Sequence, residues 1–210
     1  KEVFFYSNLY KLYGILSYPD DISSFENLPV VILSHGYGAS NQEFGDFILL
    51  SKILNENKVA TFRFDFSGCG KSDYPLGRML CNSNWKEDLK NAIFFIKNLI
   101  GIDNSKKICL LGESMGASVT LLAASENRDL GCVIVLSPIA DGYEWIKKNW
   151  SENRNDEDFL SLLKKIEEDK IREAVYGQSN LLKMSDALSY QKRYLDLIEQ
   201  IHKNFYDREF

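Results

Sequence analysis

Apolar positions in this chain recur with two different periods. Residues 3–18 read as two strands joined near Ser7-Asn8 and ending at Tyr18-Pro19. Val30-Val31-Ile32-Leu33-Ser34 is an unbroken apolar run after Pro29, the pattern of a strand buried on both faces. Val59 to Phe66 predicts another strand, alternating less cleanly because of Arg63 and Asp65. Between these two strands, Asp46, Phe47, Ile48, Leu49, Leu50, Ile53 and Leu54 predict a helix over 46–57. The clearest helical stripe runs over 84–100, where Trp85, Leu89, Ile93, Ile96 and Ile100 share one face, Asn84 suits the start and Gly101 the stop. Lys107 to Leu111 predicts a strand, a helix follows to about Glu126, and Cys132 to Leu136 predicts a further strand. Strands alternating with helices at these intervals predict an α/β fold with a mostly parallel sheet and helices on both faces.

After Asp141-Gly142 the pattern changes. Residues 143–210 hold no proline and only Gly177 among glycines. Phe159, Leu162, Leu163 and Ile166 recur at helical spacing, as do Tyr194, Ile198, Ile201 and Phe205. The expected organisation is an α/β core over residues 1–140 followed by several amphipathic helices, and no further strand, over 141–210. No internal repeat or low-complexity tract interrupts it.

Composition narrows the function classes. The chain has 210 residues, enough to bury a real core, and 45% of them are hydrophobic, which is globular. A net charge of −5 argues against nucleic acid or an anionic membrane as main partner. No apolar run reaches the length of a membrane span. No leader is visible, although the chain starts at Lys1, so one could have been removed. Cys109 and Cys132 fall in apolar runs and read as small buried hydrophobes, while Cys69 and Cys81 lie in loop-like stretches without metal-ligand spacing. That usage predicts a reducing, cytoplasmic setting and no metal site.

The candidate chemistry centres on Gly112-Glu113-Ser114-Met115-Gly116, a G-x-S-x-G run with an apolar strand before it and a small-residue helix after it. In that context Ser114 sits on a sharp strand-to-helix turn. A serine hydroxyl needs a base to remove its proton and donors to stabilise the oxyanion that follows. The Met115 amide opens the next helix, whose N-terminus carries favourable partial charge. His35-Gly36-Tyr37-Gly38 ends the first long buried strand, so its loop and the serine turn share the carboxyl-end crevice of the sheet, and the Tyr37 amide can be a second oxyanion donor. His35 could be read as the base; its place before the serine, in a loop suited to oxyanion donation, favours a structural role instead.

Three stretches together, Leu33-Ser34-His35-Gly36-Tyr37-Gly38, Arg63 to Ser72, and Gly112 to Gly116, resemble the α/β-hydrolase superfamily. The nearest likeness is to its lid-bearing esterases and serine aminopeptidase-like branch, with cinnamoyl esterases, monoacylglycerol lipases and acyl thioesterases among the relatives. The resemblance covers about residues 3–140. It implies Ser114 as nucleophile, the Tyr37 and Met115 backbone amides as oxyanion hole, Asp65 and the Gly68–Ser72 turn as structural, and residues 141–210 as a helical cap or lid. Cys69 stands where relatives often carry a histidine. Gly70-Lys71-Ser72 mimics the end of a phosphate-binding loop, but position 65 is Asp where that motif requires glycine.

The triad of such enzymes runs Ser, then Asp or Glu, then His in chain order. Asp141 follows the Cys132–Leu136 strand, where some relatives keep the acid. His202 is the only histidine after the serine, and beside Ile198 and Phe205 it reads as a packing residue of a helix. Asp186 and Asp196 read as solvated cap residues. The expectation is that the C-terminal strands, with the acid and the base, are missing from this sequence, the other possibility being a natural dead hydrolase. In the cap, Trp145, Trp150, Tyr176, Leu181, Leu182 and Met184 could roof the serine or simply pack helix on helix. The expected activity is hydrolysis of a carboxylic ester of a small acyl or aromatic substrate, with no cofactor. A thioesterase, acyltransferase or small-peptide hydrolase would use the same nucleophile, and a non-catalytic binding protein on a hydrolase scaffold is the rival from another class.

Overall fold

The computed structural model describes residues 1–20, 28–73, 83–99, 107–151 and 156–177. Strands β1 (Glu2–Ser7) and β2 (Tyr10–Ser17) form an antiparallel hairpin whose two-residue turn has positive φ at Asn8 and Leu9. Four more strands follow: β3 (Val30–Ser34), β4 (Ala60–Phe64), β5 (Ile108–Glu113) and β6 (Cys132–Leu136). The sheet order is β1-β2-β4-β3-β5-β6. The β3–β4, β3–β5 and β5–β6 pairs are parallel, and β2 runs antiparallel to β4.

The helices α1 (Asp46–Glu56), α2 (Ser83–Leu99) and α3 (Met115–Ser125) connect these strands. Every residue of β3 and β4 is buried, Thr61 and Arg63 of β4 included, as central strands covered on both faces are. Alternation along β3 sends Val31 and Leu33 to one face, where they meet Phe47 of α1 and Leu111 of β5. α2 buries Trp85, Leu89, Ile93 and Ile96, the stripe that its sequence displays. It begins at Ser83, one residue before the expected cap Asn84. Phe66, two residues beyond β4, stacks on Trp85 with ring centroids 4.4 Å apart.

Two expectations change at β6. Cys109 and Cys132 are half-buried rather than core residues, and they face each other across the β5–β6 pair. Burial, then the Cys132 thiol, pushes the Cys109 thiol up to about 12. Val133, Ile134 and Leu136 are exposed, because among the described residues β6 pairs only with β5. Cys81 lies outside the described residues.

By its own contacts the chain divides into two units, Lys1–Ala140 and Asp141–Phe210. Of the second unit, α4 (Gly142–Ser151) and α5 (Asp156–Tyr176) are described. Phe159 anchors this pair, 3% exposed and edge-on to Tyr143 of α4. Leu162, Leu163 and Ile166 continue its half-buried stripe along α5. The stripe at Tyr194–Phe205 lies outside the described residues.

Candidate active site

Strand β5 runs through Gly112 and Glu113 and stops at Ser114, which has φ 52° and ψ −119°. A non-glycine residue at that conformation is strained and persists only where its surroundings fix it. Three features do so. The Ser114 amide donates to the Leu136 carbonyl at 2.9 Å, tying the turn to the end of β6. The Ser114 carbonyl accepts the amides of Ala117 and Ser118, starting α3. Glycine on either side permits the close packing: a Cβ on Gly112 would lie 2.5 Å from the Gly116 carbonyl oxygen, and one on Gly116 would overlap the carbonyl oxygens of Ser34 and His35. Ser34, the last residue of β3, and His35 after it therefore rest against the first turn of α3. Ser114 itself is half-buried.

The β3 loop meets this turn directly. A Cβ built on Gly36 would sit 3.2 Å from the Cβ of Ser114. His35 is fully buried and both ring nitrogens are committed to backbone. Nε2 accepts the Phe66 amide at 3.1 Å, which leaves the proton on Nδ1 for the Gly36 carbonyl 2.8 Å away. The ring also packs edge-on to Phe66 and Trp85. Burial holds its pKa below the ordinary histidine value, against the attraction of Asp65. A neutral ring with no free nitrogen is a brace, not a base. Its target matters, because the Gly36 carbonyl shares a trans peptide plane with the Tyr37 N–H, so fixing one aims the other. Ala39 donates to the same carbonyl at 3.3 Å.

Asp65 organises the neighbouring loop. Its carboxylate accepts the Asn41 amide at 2.6 Å, the Asn41 side chain at 2.8 Å and the Lys71 amide at 2.9 Å. Arg63 reaches the other side of Asn41, its Nη1 2.8 Å from Oδ1. Gly70, at φ 50°, is so close to Asp65 that a Cβ there would overlap the carboxylate. The Gly70-Lys71-Ser72 segment thus serves this turn, and the Lys71 ammonium lies outward near Glu2 and Tyr13. Cys69 is buried in it. One helix away, Asp88 accepts the Ser67 amide at 2.9 Å and Trp85 donates to the Ser67 carbonyl at 3.1 Å.

Two acidic residues lie beside the serine that sequence reading left out of the site. Glu43 is 5% exposed and accepts the Gly36 amide at 2.6 Å. Burial pushes its carboxyl up to about 8, against the Gly36 hydrogen bond and with help from Glu113 and Asp46. Glu113 is half-buried and shifted in the same direction, by burial and then by Asp46. Glu43 lies in the short turn before α1, and nothing in the sequence around it marks its carboxylate as buried.

The remaining candidates stand apart. Asp141 is exposed and accepts the Glu144 amide at 3.0 Å, the geometry of an N-cap for α4. Met115 opens α3 beside the serine. His202, Asp186, Asp196, Leu181, Leu182 and Met184 lie outside the described residues, and His35 is the only histidine within them. No group of His, Cys, Asp and Glu suited to hold a metal ion occurs among the described residues. No helix among them is long and apolar enough to cross a membrane.

This strand-turn-helix serine under a strand-end loop defines an α/β hydrolase. The chain belongs to the family described as serine aminopeptidase, S33, which matches residues 26–179. It is 31% identical over 143 residues to an uncharacterized 31.7 kDa protein of Escherichia coli from the traX-finO intergenic region, covering 68% of this chain and 48% of that protein. It is 24% identical over 113 residues to a monoglyceride lipase homolog of Monkeypox virus, covering 53% of this chain and 39% of the relative. The alpha/beta hydrolase GrgF from a Penicillium species shares the fold over 100% of this chain and 69% of its own, with TM-score 0.73 and 20% identity. Est1E from Butyrivibrio proteoclasticus, solved with ferulic acid bound, matches 70% of this chain and 56% of its own at TM-score 0.60 and 26% identity. The chain spans about half the length of the curated relatives it matches.

Proposed function

We propose that this protein is a serine hydrolase that cleaves a carboxylic ester through an acyl-enzyme on Ser114. The carrying observation is the strained Ser114 turn, held by Leu136 and packed against Gly36. In this reading the Ser114 Oγ attacks the ester carbonyl carbon while a base takes its proton. The oxyanion is held by the Tyr37 and Met115 amides, the C–O bond breaks, and the alcohol leaves with a proton. Water then hydrolyses the acyl-serine by the same route in reverse roles. The base is not His35, whose nitrogens are both engaged. It comes from outside the described residues, either His202 or a histidine of the whole protein, and the acid from Asp141 or such a residue. The helices beyond residue 140 are read as the cap.

An ester is favoured because one relative is named a monoglyceride lipase homolog and another holds ferulic acid, an aromatic acid of the kind an esterase releases. The family description favours a second reading, cleavage of a small peptide or aminoacyl amide by the same serine. A fluorophosphonate probe on the complete gene product tests the nucleophile: labelling is expected in the wild type and lost in Ser114→Ala. Absence of labelling in the folded wild-type protein overturns the proposal. Comparing p-nitrophenyl esters, an acyl thioester and an aminoacyl anilide separates the readings.

A further inference from the structure

We propose that Glu43 is a positioning residue for acyl transfer, its buried carboxyl clamping the Gly36 amide beneath the oxyanion loop; the inference rests on the serine-hydrolase reading above. The Gly36 residue is held from both sides. Its carbonyl is fixed by His35 and Ala39, and its amide by Glu43 Oε2 at 2.6 Å. Those bonds fix the two consecutive peptide planes that lead into Tyr37. His35 alone controls only the second plane. On the first plane the His35 carbonyl rests against Gly116, and Glu43 adds the hydrogen bond that holds its Gly36 N–H end against rotation about the ψ of His35 and the φ of Gly36, a residue with no side chain to resist it.

The backbone around Glu43 is bent to deliver that carboxyl. Glu43 and Phe44 have φ of 43° and 54°, and Gly45 follows at 105°. Two consecutive non-glycine residues in the left-handed region form an expensive turn between Asn41 and α1, and nothing about helix initiation requires it. Its result is a glutamate carboxyl turned inward and buried rather than solvated at the surface. The Glu43 Oε1 would lie 3.5 Å from a Cβ on Gly36, so the carboxyl flanks the same residue that touches Ser114.

Charge decides the form in which Glu43 works. Burial is the main push on its carboxyl, opposed by the Gly36 hydrogen bond, and the titratable groups acting on it, Glu113 at the end of β5 and Asp46 in α1, are both acidic and add to the push. An ionised Glu43 would add negative charge beside the place where the oxyanion develops. A neutral carboxyl still accepts the Gly36 N–H through its carbonyl oxygen and adds none. The same clamp thus supports the reaction when protonated and opposes it when ionised.

The test uses the complete gene product with a p-nitrophenyl ester. Glu43→Ala is expected to lower kcat by about 30-fold with KM within about threefold, the signature of lost transition-state stabilisation. Glu43→Gln keeps the acceptor and cannot ionise; it is expected to retain kcat at pH 7 within about threefold and to abolish a decline that the wild type shows with a midpoint near pH 8. In parallel, the Gly36 amide nitrogen and proton shifts are followed by NMR, which requires no activity. They should titrate with that midpoint in the wild type and stay flat in Glu43→Gln. An unchanged kcat in folded Glu43→Ala, an equal loss in Glu43→Gln, or a Gly36 amide that does not titrate overturns the assignment. If Glu43→Ala does not fold, the Glu43→Gln profile and the Gly36 titration decide. A wild type that fails to label at Ser114 defeats the hydrolase reading, whereas the Gly36 titration judges the clamp separately.

Discussion

Gly116 packs against the backbone of Ser34 so closely that no side chain fits between them. The contact joins the first turn of α3 to the end of β3, and neither partner is the flexible tip of a side chain. Gly116→Ala must therefore displace helix from sheet. The expected cost is about 2–4 kcal/mol, above the usual range for overpacking because backbone rather than a rotamer must yield. Urea denaturation of the variant against wild type checks it. Ser114 labelling should fall with it, since the displaced helix carries the Met115 amide.

Ser114 stores strain that a glycine would not. At φ 52° and ψ −119° a side chain is costly, and glycine reaches such angles freely. Ser114→Gly is expected to be more stable than Ser114→Ala by about 1 kcal/mol, after subtracting the extra entropy of the unfolded glycine chain. Paired thermal melts of the two variants measure the difference. Equal stability would mean that the turn is relaxed.

Asp65 gathers donors that have no other partner in its loop. Asp65→Ala would leave the buried Asn41 amide, the Asn41 side chain and the Lys71 amide without their acceptor, close to the Arg63 guanidinium. Loss of about 3–5 kcal/mol is expected, as for other buried charges stripped of their partners. Asp65→Asn keeps one acceptor and should recover part of it, measured by chemical denaturation.

His35 makes the fold acid-sensitive. Its folded pKa is depressed by burial, so between that value and the ordinary one near 6.5 the unfolded state binds more protons. Its contribution is thus complete above pH 6.5 and is lost as pH falls below it. His35→Gln, although destabilised overall, should show a flatter stability profile from pH 7 to pH 5 than the wild type.

Glu43 has the opposite sign. Its folded pKa is raised to about 8 from 4.5, so the folded state holds the proton longer than the unfolded state does. Its contribution is full below pH 4.5 and is lost as pH rises to 8, by up to about 5 kcal/mol if no relaxation intervenes. Glu43→Gln should remove that slope, seen as a denaturation midpoint that no longer falls between pH 5 and pH 8.

The elements were legible in the sequence where burial is regular along the element. β3 declares itself through an unbroken apolar run because both its faces are covered, and α2 through a clean stripe because one face is buried while residues such as Phe94 are exposed. The serine turn was legible because its glycines are demanded by backbone contact. Glu43 was not, because nothing in a single carboxylate distinguishes a solvated residue from one bent inward; only the backbone angles of 43 and 44 reveal it. The cysteines of β5 and β6 misled for a related reason. Apolar neighbours signal a strand, but how deeply that strand is covered depends on what lies beside it in the sheet.

The hydrogen bond from Ser114 to Leu136 makes the serine turn depend on the alignment of the sheet. β6 meets β5 in a register that places Leu136 opposite Glu113, one residue before the serine. A slip by a single residue would turn every β6 side chain to the other face and carry the acceptor carbonyl away. Any neighbour that locks β6 in line therefore also sets how still the serine stands. Substitutions along the outer edge of β6 are thus a lever on the geometry of the Ser114 turn.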